Sequence, residues 1–78
     1  IDETSIYPNP AIDVVYFDSW ELINKVKIIS MEGKVISEVT LTKNNLNISQ
    51  LRDGNYFLKL TTVTGKVATH RLVVCGPN

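Results

Sequence analysis

Few residues of this sequence could perform nucleophilic chemistry. His70 is the only histidine, and Cys75 and several serines are the only candidate nucleophiles. A catalytic pair needs a base within hydrogen-bond reach of the nucleophile and a third group that orients the base. His70 and Cys75 lie on one predicted strand at an odd spacing, so their side chains face opposite sides, about 16 Å apart at ~3.3 Å per residue. We therefore predict that the chain is not an enzyme and that His70 is a partly exposed strand residue.

Metal binding is not favoured either. Zinc sites need a cluster of cysteine and histidine, which one residue of each type does not supply. Asp13, Asp18 and Glu21 lie close together, but calcium loops carry oxygen ligands at dense alternate spacing with a glycine for the turn, and this stretch has none. We interpret the three acids as turn and solvent-facing residues and predict no cofactor.

Two patterns concern carbohydrate. Asn47-Ile48-Ser49 matches the N-glycosylation sequon, but the triplet falls on a predicted strand and we interpret it as a chance match. In the adjacent pairs Tyr16-Phe17 and Tyr56-Phe57, alternation along a strand points one ring to the core and the other outward. Trp20 lies in a predicted loop or strand start. The outward rings are a candidate sugar-stacking platform, although packing against loop backbone is the interpretation we favour.

Size and charge restrict the chain to one small domain, residues 1–78, without a nucleic-acid partner. Eight basic and eight acidic residues cancel, whereas nucleic-acid binding proteins carry a basic excess. The single cysteine forms no internal disulfide, and no apolar run approaches the ~20 residues that span a bilayer. The start, Ile1 to Ser5, has neither signal-peptide features nor an initiator methionine, so we expect a piece of a longer precursor.

The chain reads as strands from end to end. Helical periodicity is absent, and short β-rich runs separated by turn residues recur, which is typical of a sandwich. Gly33 and Gly65 mark hairpin turns, and Pro8-Asn9-Pro10 stops the first strand. The predicted strands are Thr4 to Tyr7, Ile12 to Phe17, Leu22 to Met31, Lys34 to Leu41, Leu46 to Leu51, Tyr56 to Val63 and Lys66 to Cys75. We predict an all-β fold, a seven-stranded immunoglobulin-like antiparallel β-sandwich.

Alternation within these runs predicts which residues share a face. Val26 and Ile28 point to the core, and Lys25 and Lys27 between them point outward. Two further faces are predicted: Tyr56, Leu58 and Leu60 on one strand, and Ile12, Val14 and Tyr16 on another.

A combination of motifs is more specific than any single pattern. It consists of Tyr7-Pro8-Asn9-Pro10-Ala11, Gly33-Lys34-Val35, the run from Leu51 to Leu58, and Gly65-Lys66 followed by His70-Arg71-Leu72-Val73-Val74. In this order and spacing, from about residue 6 to residue 74, the chain resembles the type A C-terminal sorting domain of the Por, or type IX, bacterial secretion system.

The resemblance implies a non-catalytic secretion signal at the end of a larger cargo protein. The implied partners are the parent cargo, the outer-membrane type IX translocon components and a sortase that removes the domain. The cargo is then secreted, passing through the periplasm and being released or attached to the cell surface. A terminal edge strand with unpaired backbone groups suits such recognition and also suits weak self-association.

The residues expected to be read by the translocon lie on the last strand. They are Lys66, His70, Arg71, Leu72, Val73 and Val74. The other family motif residues are expected to be mainly structural: Pro8, Asn9, Pro10, Gly33, Lys34, Leu51, Gly54, Tyr56 and Gly65. Gly54 is expected at a turn with positive φ, with Leu51 and Tyr56 as core anchors on either side.

Two departures from the family pattern stand beside the resemblance. The family commonly has lysine at the position of Arg71, and this chain continues past the last apolar strand as a tail, Cys75 to Asn78, of uncertain origin. The alternative hypothesis is an immunoglobulin-like or fibronectin-III-like accessory module that binds carbohydrate or supports a catalytic domain. A row of outward aromatic residues on one sheet would favour that alternative.

Overall fold

Seven strands make up most of the domain. The computed structural model describes residues 5–76. The strands are β1 (Ile6–Tyr7), β2 (Val14–Phe17), β3 (Ile23–Ser30), β4 (Val35–Thr40), β5 (Asn45–Asn47), β6 (Gly54–Thr62) and β7 (Val67–Val74). A short 3-10 turn, Trp20–Leu22, leads into β3. Within residues 5–76, no helix is long and apolar enough to cross a membrane.

The strands form two sheets. One has three strands in the order β1-β2-β5, and the other has four in the order β4-β3-β6-β7. Every strand pairing is antiparallel. A single parallel bridge joins Ala11 to Val74 outside these ladders in the described residues. The prediction of an all-β, seven-stranded sandwich is confirmed.

The core lies between the two sheets and is entirely apolar except at its margin. Because side chains alternate along a strand, each sheet sends every second residue inward. Val26 and Ile28 of β3 and Leu58 and Leu60 of β6 are buried, as predicted. The buried apolar residues are Ala11, Val15, Phe17, Ile23, Val26, Ile28, Leu41, Leu46, Ile48, Leu58, Leu60, Leu72 and Val74. Each fully buried Leu, Ile, Val or Phe contributes roughly 1.5–3 kcal/mol relative to an exposed one.

The two glycine hairpins share one geometry. In the β3–β4 turn, Ser30 and Lys34 close a backbone hydrogen bond of 2.8 Å, and the Lys34 N–H also donates to Ser30 Oγ. In the β6–β7 turn, Thr62 and Lys66 make the same two bonds. Gly33 and Gly65 have φ of 88° and 91°, in the left-handed region that favours glycine. Both predicted hairpins are therefore present.

The beginning of the chain differs from the prediction. The second strand starts at Val14, and Ile12 is exposed and outside any strand. In β2 the buried residues are Val15 and Phe17, so the predicted face of Ile12, Val14 and Tyr16 is the outer one. Ala11, which precedes Ile12, forms a bridge with Val74 of β7. The backbone before Val14 therefore follows β7 and does not extend β2. Thr4, predicted to start the first strand, lies outside the described residues.

Candidate functional site: the outer edge of β7

The predicted recognition residues divide between the two faces of β7. Leu72 and Val74 belong to the core, with exposed fractions of 0% and 3%. Their side chains are therefore inaccessible to a partner while the domain is folded. Arg71 is exposed and Val73 half-buried, and both point away from the core.

His70 and Lys66 have different surroundings. His70 pairs in register with core residue Leu58, so the imidazole lies on the inner face of β7, half-buried. Its Nε2 is buried and makes no hydrogen bond within the described residues. Lys66 is exposed in the hairpin turn before β7. Of the six predicted residues, Lys66, Arg71 and Val73 therefore have side chains toward solvent or the outer face.

The C-terminal half of the β7 edge is covered by the segment Pro8–Ala11, here called the edge cap. Asn9 Nδ2 donates to the Arg71 carbonyl oxygen at 2.9 Å, and Asn9 Oδ1 accepts from the Val73 N–H at 3.0 Å. The Ala11 N–H donates to the Val73 carbonyl oxygen, and the Ala11 carbonyl oxygen accepts from the Cys75 N–H, both at 2.8 Å. The edge cap thus occupies the outward backbone groups from the Arg71 carbonyl to the Cys75 amide.

The N-terminal half of the same edge has no neighbouring strand. β7 is the last strand of its sheet and pairs only with β6 in the described residues. Backbone groups alternate in direction along a strand, so Val67 and Thr69 direct their N–H and C=O outward in the same sense as Val73. The uncovered length runs from Val67 to the Arg71 N–H. The expected unpaired edge is therefore present, but over half of the strand.

Two side-chain contacts hold the neighbourhood of this edge. Arg71 Nη2 donates to Asn55 Oδ1 of β6 at 3.3 Å, which orients the exposed guanidinium along the outer face of the sheet. Beyond β7, the Gly76 N–H donates to Asp53 Oδ1 at 2.8 Å. Cys75 and Gly76, the described part of the tail, are thus held against the domain, and Pro77 and Asn78 lie outside the described residues.

The remaining motif residues are placed around the turn before β6. Gly54 has a φ of 151° and begins β6. Leu51 and Tyr56, on either side of it, are partly buried and pack against the core. The Tyr56 hydroxyl donates to the Arg52 carbonyl oxygen at 2.7 Å, which resembles the tyrosine corner of immunoglobulin-like sandwiches. These contacts stabilise the fold.

The other candidate sites do not assemble chemistry in the described residues. No group of three His, Cys, Asp or Glu residues lies close enough there to hold a metal ion. Asn47 of the sequon is exposed at the end of β5, and its Oδ1 accepts hydrogen bonds from the Ser49 N–H and hydroxyl. Its amide oxygen therefore stabilises a local turn.

Two outward aromatic residues of the three-stranded sheet form a pair. Tyr7 and Tyr16 oppose each other in register on the outer face of the three-stranded sheet, and their rings stack with centroids 5.7 Å apart. The next position across the sheet is Asn45. Trp20 packs partly buried against the core. Two rings followed by an amide fall short of the aromatic row expected for a carbohydrate-binding module.

A groove of about 250 Å³ opens between the edge strands β4 and β5. Its lining contains no ionisable side chain, so it offers neither an acid nor a base nor an activated nucleophile. The lining residues are Ile28, Ile36, Ser37, Val39, Leu46, Asn47, Ile48, Gln50 and Leu51.

Comparison with known proteins identifies the family. The model of the secretion system C-terminal sorting domain matches residues 5–75, which include both sheets and the edge cap. The chain belongs to this family. Type IX sorting domains are non-catalytic, so the resemblance and the prediction that the domain is not an enzyme are confirmed. The domain is a sorting signal that directs export of the protein carrying it.

A curated relative matches nearly the whole chain. Beta-agarase D of Zobellia galactanivorans is 23% identical over 73 residues, which cover 94% of this chain and 15% of the relative. The chain therefore corresponds to a small part of that protein's length.

The sequence predicts a mainly structural role for Asn9 within a turn, but it does not predict the hydrogen bonds of Asn9 to the edge of β7. A local signal existed, because an amide side chain carries both a donor and an acceptor and suits a strand edge. The partners, Arg71 and Val73, lie 62 and 64 residues away, and no local pattern identifies them.

Proposed function

We propose that this domain is read by the outer-membrane type IX translocon through the uncovered half of the β7 edge, and that it ends a larger cargo protein. A strand of the translocon pairs with Val67–Arg71, and the exposed Arg71 side chain sets register and charge. A sortase then removes the domain. The cargo passes through the periplasm and is released or attached to the cell surface.

The observation that carries this proposal is the division of the β7 edge. Strand addition supplies affinity through backbone hydrogen bonds, and it needs outward N–H and C=O groups without partners. The edge cap uses these groups at Val73, while those of Thr69 have no strand beside them in the described residues. A recognising strand therefore has a defined place and length on β7.

Arg71 lies at the C-terminal end of the uncovered part of the β7 edge. Its carbonyl oxygen is bound by Asn9, whereas its side chain is exposed and held by Asn55. Arginine preserves the positive charge of the lysine common in the family, with a planar set of donors in place of an ammonium. A partner strand with acidic side chains or free backbone carbonyls would accept hydrogen bonds from the Arg71 guanidinium.

The test is a reporter fusion in a host with the type IX machinery. Residues 1–78 fused to a periplasmic reporter should bring it to the cell surface, and a fusion lacking residues 66–78 should leave it in the periplasm. Equal periplasmic retention of both fusions would contradict a sorting role for the domain.

Two substitutions at one position then test the edge itself. Thr69→Pro removes the outward N–H and should reduce export strongly, because proline cannot donate to an added strand. Thr69→Ala keeps the amide and should be exported normally. Thermal unfolding of both purified variants controls for loss of fold. Equal export of the two variants would leave sorting intact and rule out strand addition at this edge.

A further inference from the structure

The outer face of the four-stranded sheet carries a cluster of positive charge. Register places Lys27 of β3 opposite Lys59 of β6, with Thr69 of β7 next in the row. Lys25 and Arg71 lie on the same outer face, since they follow the same alternation. We call Lys25, Lys27, Lys59 and Arg71 the cationic face.

This positive charge is a local excess in a neutral chain. Eight basic and eight acidic residues give a net charge of zero. On the outer side of the sheet, one acid faces the four cations: Glu38 of β4, which pairs with Lys25 at 3.7 Å. The other acids of the described residues lie in turns, loops and the 3-10 turn: Asp13, Asp18, Glu21, Glu32 and Asp53. The outer side of the four-stranded sheet therefore carries a local excess of positive charge.

The centre of the cationic face contains one like-charged cross-strand pair. Lys27 has Glu38 of β4 as its cross-strand neighbour on one side and Lys59 of β6 on the other, and the like charges of Lys27 and Lys59 disfavour their pairing. Neither takes part in an ion pair within residues 5–76. Both are half-buried, which fits aliphatic stems that pack along the sheet while the charged ends reach solvent. A negative partner at this point would relieve the repulsion.

Apolar side chains lie among these cations. Ile29, Phe57 and Arg71 form one row across β3, β6 and β7, and Val73 follows on the same face. Ile29, Phe57 and Val73 are half-buried rather than protruding. Apolar and aromatic residues beside an arginine are typical of the centre of protein interfaces.

We propose that an acidic protein surface with apolar residues at its centre docks on the cationic face, its carboxylates opposite Lys27, Lys59 and Arg71. The inference rests on the proposed function, since it names the chemistry of the translocon surface beside the added strand. A protein fits better than an anionic membrane. A neutral chain has little long-range attraction to a charged bilayer at a Debye length of about 8 Å, and the apolar residues are too flush with the sheet to insert.

A charge-matched pair of variants tests the face in cells. Lys27→Glu with Lys59→Glu reverses its centre, and Lys34→Glu with Lys43→Glu makes the same charge change at exposed positions outside the strands. Surface delivery of the reporter fusion should fall by about tenfold or more in the first variant, because like-charge contact opposes docking. It should stay close to the unmodified level in the second. Equal export of the two variants would contradict docking on the cationic face and would leave the sorting role intact.

A titration of the purified domain tests binding to the cationic face independently of export. A synthetic peptide of alternating glutamate and leucine should shift the backbone amide resonances of β3, β6 and β7 saturably, and the reversed variant should abolish these shifts. Absence of saturable shifts overturns the proposal even where the fusion is exported. If the resonance shifts are confined to this face but the fusion is not exported, binding to the cationic face is supported and the sorting role is contradicted.

A vesicle experiment separates a protein partner from a membrane. The purified domain is sedimented with vesicles of three parts phosphatidylcholine to one part phosphatidylglycerol. The proposal predicts that the domain stays in solution. Co-sedimentation that is lost in the Lys27→Glu and Lys59→Glu variant would assign the face to an anionic bilayer and overturn the protein partner.

Discussion

The two outer strands of the four-stranded sheet, β4 and β7, follow the same hairpin turn but are held differently. β4 exposes Val35 and Ile36 by 49% and 45%, and its register shifts opposite Ile28 and Ile29. β7 buries Leu72 and Val74 and receives the edge cap along half its length. Similar turns, with Ser30 in one and Thr62 in the other, thus precede two strands that differ in burial and in edge contacts. The difference comes from contacts distant in sequence.

The strongest test of this contrast is a truncation in each strand. Leu72→Ala removes a fully buried side chain and should lower the free energy of unfolding by about 2–5 kcal/mol. Val39→Ala, at a half-buried position of β4, should lower it by about 1 kcal/mol. Urea unfolding of both variants measures the two values. Similar losses would mean that β4 and β7 contribute equally to the core.

The second prediction concerns the edge cap. Asn9→Ala removes the bonds to the Arg71 carbonyl and the Val73 amide, and should lower the free energy of unfolding by about 2 kcal/mol at ~1 kcal/mol per bond. Hydrogen exchange at the Val73 amide should accelerate.

Asn24 supplies the matched control for the cap. It is exposed on β3, and its side chain makes no hydrogen bond within the described residues, so Asn24→Ala should change stability by less than about 0.5 kcal/mol. An unchanged exchange rate at Val73 in the Asn9→Ala variant would show that the cap does not hold β7.

The smallest effects are expected at the turns, where the two strands are alike. Gly33→Ala and Gly65→Ala should each lower the free energy of unfolding by about 1 kcal/mol, because a Cβ disfavours positive φ. An added Cβ meets nothing within 4 Å at either glycine, so the loss is purely conformational. Unfolding midpoints that differ markedly between the two variants would place part of the β4–β7 difference in the turns.

Sequence patterns predict those parts of the fold that local physics determines. Alternation in β3 identifies Val26 and Ile28 as core, and the two glycines locate their hairpins, because both signals act over a few residues. The same reasoning starts the second strand at Ile12, which lies outside β2 because the adjacent Ala11 bridges to Val74 of β7. A local pattern contains no information about that partner.

The candidate site is predicted less completely than the fold. The last strand is identified as the edge strand, and it is one, but the sequence does not indicate that half of its edge is covered. Treating residues 70 to 74 as one recognition run overlooks alternation, which sends Leu72 and Val74 into the core and Arg71 outward. The cationic face is likewise visible only once the register places Lys27 opposite Lys59.

The bridge between the start and the end of the domain also sets the order in which the domain can form during synthesis. Asn9 and Ala11 leave the ribosome early, yet their partners Arg71 and Val73 follow 62 to 64 residues later. Until then β6 has an open edge on the side that β7 will occupy, and the core lacks Leu72 and Val74. The sandwich therefore cannot close before β7 has left the ribosome.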